Sequence, residues 1–505
     1  MKLKNIKFSL IASVVLFTAT SCSEEFLNVE PKGTALEDNY YTNESEAYSG
    51  LIAVYDVIGK QSRGFENMLT MLNAGSDDFF AGGGGATDGT GIQSFSDYTI
   101  SPSTIPASYW NDFYQGIFRA NILLKKLPNV PMDEATKVRF TAEAKVLRAY
   151  YYFELVRTFK NVPLITEPIA TTEIYNVVQA TPAAVYAQIE KDLNEALPNL
   201  PNTITNVATE GGRFSKGSAQ ALLGKVYLYE GKKTEAAAAL AAVNGTPGGT
   251  SQYGYKLLSK FSDLWTISNK FNTESIIEIT HTDKSNADWG FWGSGADEGN
   301  TVNVMVGPRS YSRTSGSTAP DYASGWSFNP VTQNLYDALK SDPRFDATIM
   351  DMKALKDAGQ ADYSPGYKDT GYFLKKFMPL NSDVSTGGGA SALNYKQNIY
   401  AMRLADTYLM EAEALGATGT RAQALLDAVR ARVGLSSVPV SMDAILAERR
   451  LELAGEGHRW FDLVRTGKAA TALASRGFTA GKNEIWPIPL KELENTKIVQ
   501  NPNYN

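Results

Sequence analysis

The chain has 505 residues, 43% hydrophobic and 20% charged, with one cysteine, two histidines and a formal charge of -6. A lone cysteine forbids an internal disulfide framework, and His281 and His458 alone cannot build a site of several imidazoles, so neither a cofactor nor a metal is expected. No basic block interrupts the acidic body to neutralise a phosphate backbone, so no nucleic acid is expected as partner. With 26 Tyr, 22 Phe and 7 Trp, ring faces are the chemistry on offer.

Lys2, Lys4 and Lys7 precede an apolar run from Phe8 to Ala19, and Thr20 and Ser21 lead into Cys22. A helix crossing a bilayer needs roughly 20 apolar residues, and this run is shorter, so residues 1–21 read as a secretory signal. The pattern resembles a bacterial lipoprotein signal, in which Cys22 becomes the acylated first residue. Ala19 stands where such signals prefer Leu. Losing residues 1–21 would remove three lysines and no acids, leaving a charge of -9. An acidic body is repelled by anionic headgroups, so the acyl chains, at about 0.8 kcal/mol per buried methylene, would hold it on the membrane.

Helical periodicity follows at about 44–60 and 107–127. Between Val138 and Val156, apolar residues fall at Val138, Ala142, Val146, Ala149, Phe153 and Val156, a helix period whose end is marked by Asn161 and Pro163. A further pattern spans 181–197. The segment Ala219 to Val243 fits the tetratricopeptide repeat: Leu223, Gly224 and Tyr227 on a first helix, Gly231 at the turn, and Ala236, Leu240 and Val243 on a second. The same spacing recurs with Ala412, Leu415, Gly419, Ala424, Ala428 and Ala431. Another helix is expected at 441–454. Such pairs stack on their neighbours, predicting one superhelical core.

From Asn244 to Gln397 the helical period fades into Gly, Ser, Thr, Asn and aromatics, with Trp265, Trp289, Trp292 and Trp326 inside. So long a stretch without periodicity, yet rich in large rings, reads as functional. A glycan site needs flat rings flanked by polar partners, because a sugar ring has an apolar C–H face and a hydroxyl edge. The segment Ala287 to Asn300 holds that mixture: Trp289, Phe291 and Trp292 among glycines, with Asp288, Asp297 and Asn300. Tyr311, Arg309, Arg313 and Trp326 share the insert, and Asp78, Phe79 and Phe80 precede a second glycine patch, Gly82 to Gly85. Trp265 reads as core. The adjacent acids Asp77–Asp78 and Asp297–Glu298 offer oxygen donors that calcium would accept, although such pairs commonly sit on solvated loops.

Phe26, Leu27 and Pro31, then Trp110, Tyr114, Arg119–Asn121, Glu143–Ala149 and Tyr152–Phe153, followed by Asp342–Arg344, Arg403–Leu415, Val429–Gly434, Glu448–Arg465 and Trp486–Pro489, occur in order. In this the chain resembles the SusD/RagB family of outer-membrane nutrient-uptake lipoproteins over nearly its whole length, with Gly455 where the family more often has an aromatic. The resemblance implies an all-α dominated fold: a tetratricopeptide-like α-superhelix of four helix pairs bearing a loop-rich, irregular ligand-binding insert. The expected divisions are signal 1–21, an N-terminal helical part 22–243, the insert 244–397 and a C-terminal helical part 398–505. It further implies a surface-exposed, lipid-anchored outer-membrane protein delivering an oligosaccharide to a TonB-dependent transporter.

The expected ligand contacts are Trp289, Trp292, Trp326, Tyr311, Asp78, Phe80 and Arg309, with lipidation at Cys22. No catalytic residue is expected. Glu452 and Glu456 share a helix face like a carboxylate pair, but Arg449, Arg450 and Arg459 nearby lower carboxyl pKa values, whereas a general acid needs one raised. Two other functions fit the sequence: a transporter-lid module without glycan affinity, and capture of peptides in place of sugars.

Overall fold

The structure is a computed structural model that describes residues 40–284, 288–289 and 298–504. Its frame is a series of helix pairs. α1 (Glu44–Asp56) packs on α2 (Ser108–Lys126), α3 (Glu134–Phe159) on α4 (Pro182–Ala196), α5 (Lys216–Glu230) on α6 (Lys233–Asn244), and α7 (Leu404–Ala414) on α8 (Gly419–Arg432). Then come α9 (Met442–Glu452) and α10 (Arg459–Arg465). The expected all-α, tetratricopeptide-like architecture with four helix pairs is what the chain adopts. No described helix is long and apolar enough to cross a membrane.

Local chemistry sets the boundaries. Asn43, Asp133, Thr181, Ser215 and Ser441 cap α1, α3, α4, α5 and α9 by accepting a backbone N–H of the first turn. α3 ends at Lys160, whose φ of 66° turns the chain out of the helix before Pro163. The tetratricopeptide reading of α5 and α6 holds atom by atom. Gly231 ends α5 at φ +80°, and a Cβ on Gly224 would lie 2.6 Å from Leu240 Cγ, so a small residue is needed where the helices cross. α3 is buried on more than one side, with Tyr150, Tyr151, Tyr152 and Phe153 all in the core, because α2 and α4 both pack on it.

Among the described residues, the aromatic-rich stretch is ordered by short helices and three two-stranded antiparallel ladders: β1 (Ser275–Ile279) with β6 (Ile399–Arg403), β2 (Arg309–Arg313) with β4 (Ala361–Ser364), and β3 (Ile349–Asp351) with β5 (Tyr372–Leu374). Its own core gathers Val302, Val306, Val331, Leu335, Phe373, Leu374 and Phe377. β6 lies just beyond residue 397, so the insert is sewn to the frame by a strand that runs directly into α7.

Candidate functional site

Three separate stretches build one shelf. The Gly-rich loop after Phe80 runs against residues 326–331: Phe80 N–H donates to Pro330 O at 3.1 Å, Asn329 N–H to Ala81 O at 2.9 Å and Gly83 N–H to Ser327 O at 2.8 Å. Tyr367 N–H donates to Gly83 O at 2.8 Å, bringing in the third stretch. Close approach explains the glycines. A Cβ on Gly82 would lie 2.3 Å from Ser327 O, and one on Gly83 would lie 2.7 Å from the Phe328 ring, with both residues at positive φ. Ser327 and Asn329 also adopt φ of 60° and 49°, a strained backbone for non-glycine residues that the surrounding bonds enforce.

This backbone fixes Trp326. Its N–H donates to Val304 O at 2.8 Å, and the flanking Ser327 N–H donates to Gly307 O at 2.8 Å. Trp289 is 53% exposed and its ring lies 5.9 Å from that of Trp326, the planes inclined by 32°. Two indoles from separate loops thus form one aromatic surface. Beside it Arg309 donates from Nη2 to Asp88 Oδ2 at 3.1 Å and from Nε to Trp326 O at 3.0 Å. Asp88 Oδ2 also accepts from Gly84 N–H at 2.7 Å. Both charged side chains remain about one-third exposed, so unused donor and acceptor positions face solvent next to the rings.

Of the expected contacts, the structure thus brings together Trp289, Trp326 and Arg309. Three others are placed differently. Asp78 is fully buried, and its Oδ1 accepts from Arg450 Nε at 2.8 Å; burial, then the adjacent Asp77, push its carboxyl upward, opposed by Arg450. Tyr311 is 8% exposed and its hydroxyl donates to Pro320 O. Phe80 is half-buried, with the Arg476 guanidinium 4.2 Å and Lys368 Nζ 5.6 Å from its ring centre. Their positions make Asp78 an ionic tie and Tyr311 a core ring, both closed to solvent, while Phe80 keeps part of its ring open beside two cations. Trp292, Phe291, Asp297 and Cys22 lie outside the described residues. Asp88 was not singled out from sequence; the Asp-Gly turn just after a glycine run was its only signal. Trp265, read as core, does pack on Phe261, Phe377 and Tyr400, yet borders an open cleft.

Glu452 and Glu456 do not share a helix face, because α9 ends at Glu452 and Glu456 lies in the turn that follows; both sit in a buried ionic lattice. Glu452 pairs with Arg344 at 3.0 Å, with Arg403 at 2.6 Å and with Arg432; Glu456 pairs with Arg403 and Lys376, both at 2.8 Å. Burial alone would raise Glu452, but Arg432, Arg403 and Arg344 outweigh it and hold the carboxyl well below its usual range. Glu456 is lowered for the same reason, burial being overcome by Arg403 and Lys376. His458 is pushed down to about 4 by burial and is therefore neutral at pH 7. Asp77 and Asp78 are likewise engaged by Arg459 and Arg450.

A frame of stacked helix pairs that displays an indole surface on a strained, glycine-lined shelf defines a class of binding scaffold. Comparison with known proteins places it further. Residues 273–504 match the SusD family, and residues 81–228 match a family described as starch-binding, associating with outer membrane. A solved structure described as a laminarin-binding SusD-like protein is 66% identical, covering 92% of this chain and 100% of its own, with a TM-score of 0.90. Surface glycan-binding protein A from Bacteroides thetaiotaomicron, in complex with laminarihexaose, is 25% identical, covering 91% and 100%, with a TM-score of 0.80. A SusD-like protein of Formosa agariphila is 26% identical with both chains fully covered. The chain belongs to the SusD family.

Proposed function

We propose that this protein captures a glucan of the laminarin type on the Trp289–Trp326 surface and hands it to a partner transporter without chemical change. The observation that carries this is the indole pair, Trp289 exposed and Trp326 half-buried and held by backbone bonds, bordered by the Asp88–Arg309 pair. Indole faces take the C–H face of a glucose unit, while carboxylate and guanidinium take its hydroxyls. The similarity to a laminarin-binding relative and to a laminarihexaose complex supports the choice of ligand. Binding without turnover is supported by Glu452 and Glu456, whose ionisation is locked by arginines and which therefore offer no proton.

Two ring stacks at about 1 kcal/mol each and two to four hydrogen bonds at about 1 kcal/mol each sum to roughly 4–6 kcal/mol, a dissociation constant of about a millimolar to tens of micromolar. Weak capture suits release into a pore, and tethering beside it would raise the effective concentration. Acylation at Cys22, an outer-membrane surface location and a SusC-like, TonB-dependent transporter as partner complete the proposal; the family's association with the outer membrane supports them.

Calorimetric titration with laminarihexaose tests the function. Binding in that range, weakened about fivefold by Trp326→Ala or Trp289→Ala, is expected. No binding of this or any other oligosaccharide, together with co-purification with the transporter, would instead make the protein a lid without sugar affinity.

A further inference from the structure

A cleft of about 770 Å³ lies on the insert, walled by Trp265, Ile267, Met378 and Leu380 and apart from the residues of the indole shelf. Its floor is rigid. Trp265 is wedged edge-on among Phe261, Phe377 and Tyr400, with ring-centre distances of 6.0, 5.7 and 5.9 Å, and Lys376 Nζ lies 4.5 Å from its ring centre. Lys376 is itself anchored by Glu456 at 2.8 Å, at the edge of the ionic lattice. Trp265 Nε1 is sealed inside and makes no hydrogen bond, so what this half-buried side chain presents to the cleft is ring carbon.

The polar groups around that carbon surface are charged in balance. Lys376 is neutralised by Glu456 and Lys396 by Asp283 at 2.9 Å. Two lysines, Lys270 and Lys375, then face two acids, Asp346 and Asp383. An anionic ligand gains nothing net from such a wall. A neutral ligand with an apolar face and many hydroxyls gains both ring contact and hydrogen bonds to Lys375 and Asp346, and the cleft lies in the size range that holds a small ligand.

We propose that the Trp265 cleft is a second site for neutral glucan oligosaccharides on this protein, a proposal that rests on the glucan-capture reading of the indole shelf. With two sites, one long polysaccharide chain would be held at two points, or two chains at once, and avidity for polymer would exceed affinity for a short oligosaccharide.

The test is calorimetric titration of the whole protein with laminarihexaose, using three variants. Trp289→Ala/Trp326→Ala removes the shelf. Ser268→Trp fills the cleft from an exposed rim position and leaves the packed floor intact. The third combines them. Two sites in the native protein are expected, with one surviving in each of the first two variants and none in the third. A single site abolished by the shelf variant and unchanged, within about twofold, by Ser268→Trp would overturn the cleft and leave the shelf standing. A single site sensitive only to Ser268→Trp would overturn the shelf instead. No binding to the native protein would overturn both. Thermal melting of each variant confirms that loss of binding is not loss of fold.

Discussion

At the scale of single residues, the lattice around Glu452 sets what each charge can do. Glu452 is fully buried against three guanidinium groups, so removing its charge strands Arg344, Arg403 and Arg432 in a low-dielectric interior. Glu452→Gln is expected to cost about 3–5 kcal/mol of stability, read by urea denaturation, with no change in laminarihexaose affinity for whatever folds. Glu230, at the end of α5, behaves oppositely. Burial and then a hydrogen bond with Glu190 push its carboxyl up to about 7, from 4.5. The folded state binds that proton more tightly than the unfolded chain. Its contribution to stability is therefore whole below pH 4.5 and is lost as the pH rises through about 7. Glu230→Gln should flatten that part of the pH profile, seen as a smaller fall in urea midpoint between about pH 5 and 8. An unchanged profile would mean that Glu230 titrates normally.

Among the elements, helix pairs and irregular shelf obey different constraints. Where α5 crosses α6, Gly224 gives way to the body of Leu240, and the alanine methyl would meet Leu240 Cγ at 2.6 Å. Gly224→Ala gains up to about 1 kcal/mol in helix propensity and loses about 1–3 kcal/mol to overpacking. Net destabilisation is expected, relieved by Leu240→Ala in the same chain, and a double-mutant cycle measures the coupling. This crossing was legible from sequence because a repeat encodes it at fixed spacing. The helices at 44–60, 107–127, 181–197 and 441–454 were legible for the same reason, being periodic. The shelf was not. Its pairings are isolated bridges between residues far apart in the chain, Phe79 with Val331 and Gly82 with Phe328, and its strain sits at Ser327 and Asn329, which carry no local signal. Gly82 to Gly85 marked the place, but not that Ser327 and Phe328 press against it.

Across the whole molecule, the ionic ties explain how an irregular insert holds still. Arg344 and Lys376 from the insert meet Glu448 and Glu452 of α9 and Glu456 of the turn after it, while Asp77 and Asp78 from the N-terminal loop meet Arg459 and Arg450. Residues that read as a catalytic pair or as calcium donors in sequence are thus the joints between frame and insert. Asp78 and Tyr311 looked like ligand contacts because sequence shows residue type and neighbourhood, whereas burial depends on which distant element covers them. Gly455 shows the same dependence: its φ of +79° and a Cβ position 2.5 Å from Leu374 leave no room there for a larger side chain. On the proposed function, a ring held in place as Trp326 is would accept a sugar with little reordering, so that a few weak contacts yield useful capture. A crystal structure of the protein with laminarihexaose tests that most directly. Glucose units are expected to stack on Trp289 and Trp326 with hydroxyls bonded to Asp88 and Arg309. Oligosaccharide bound elsewhere while that surface stays bare would contradict the account.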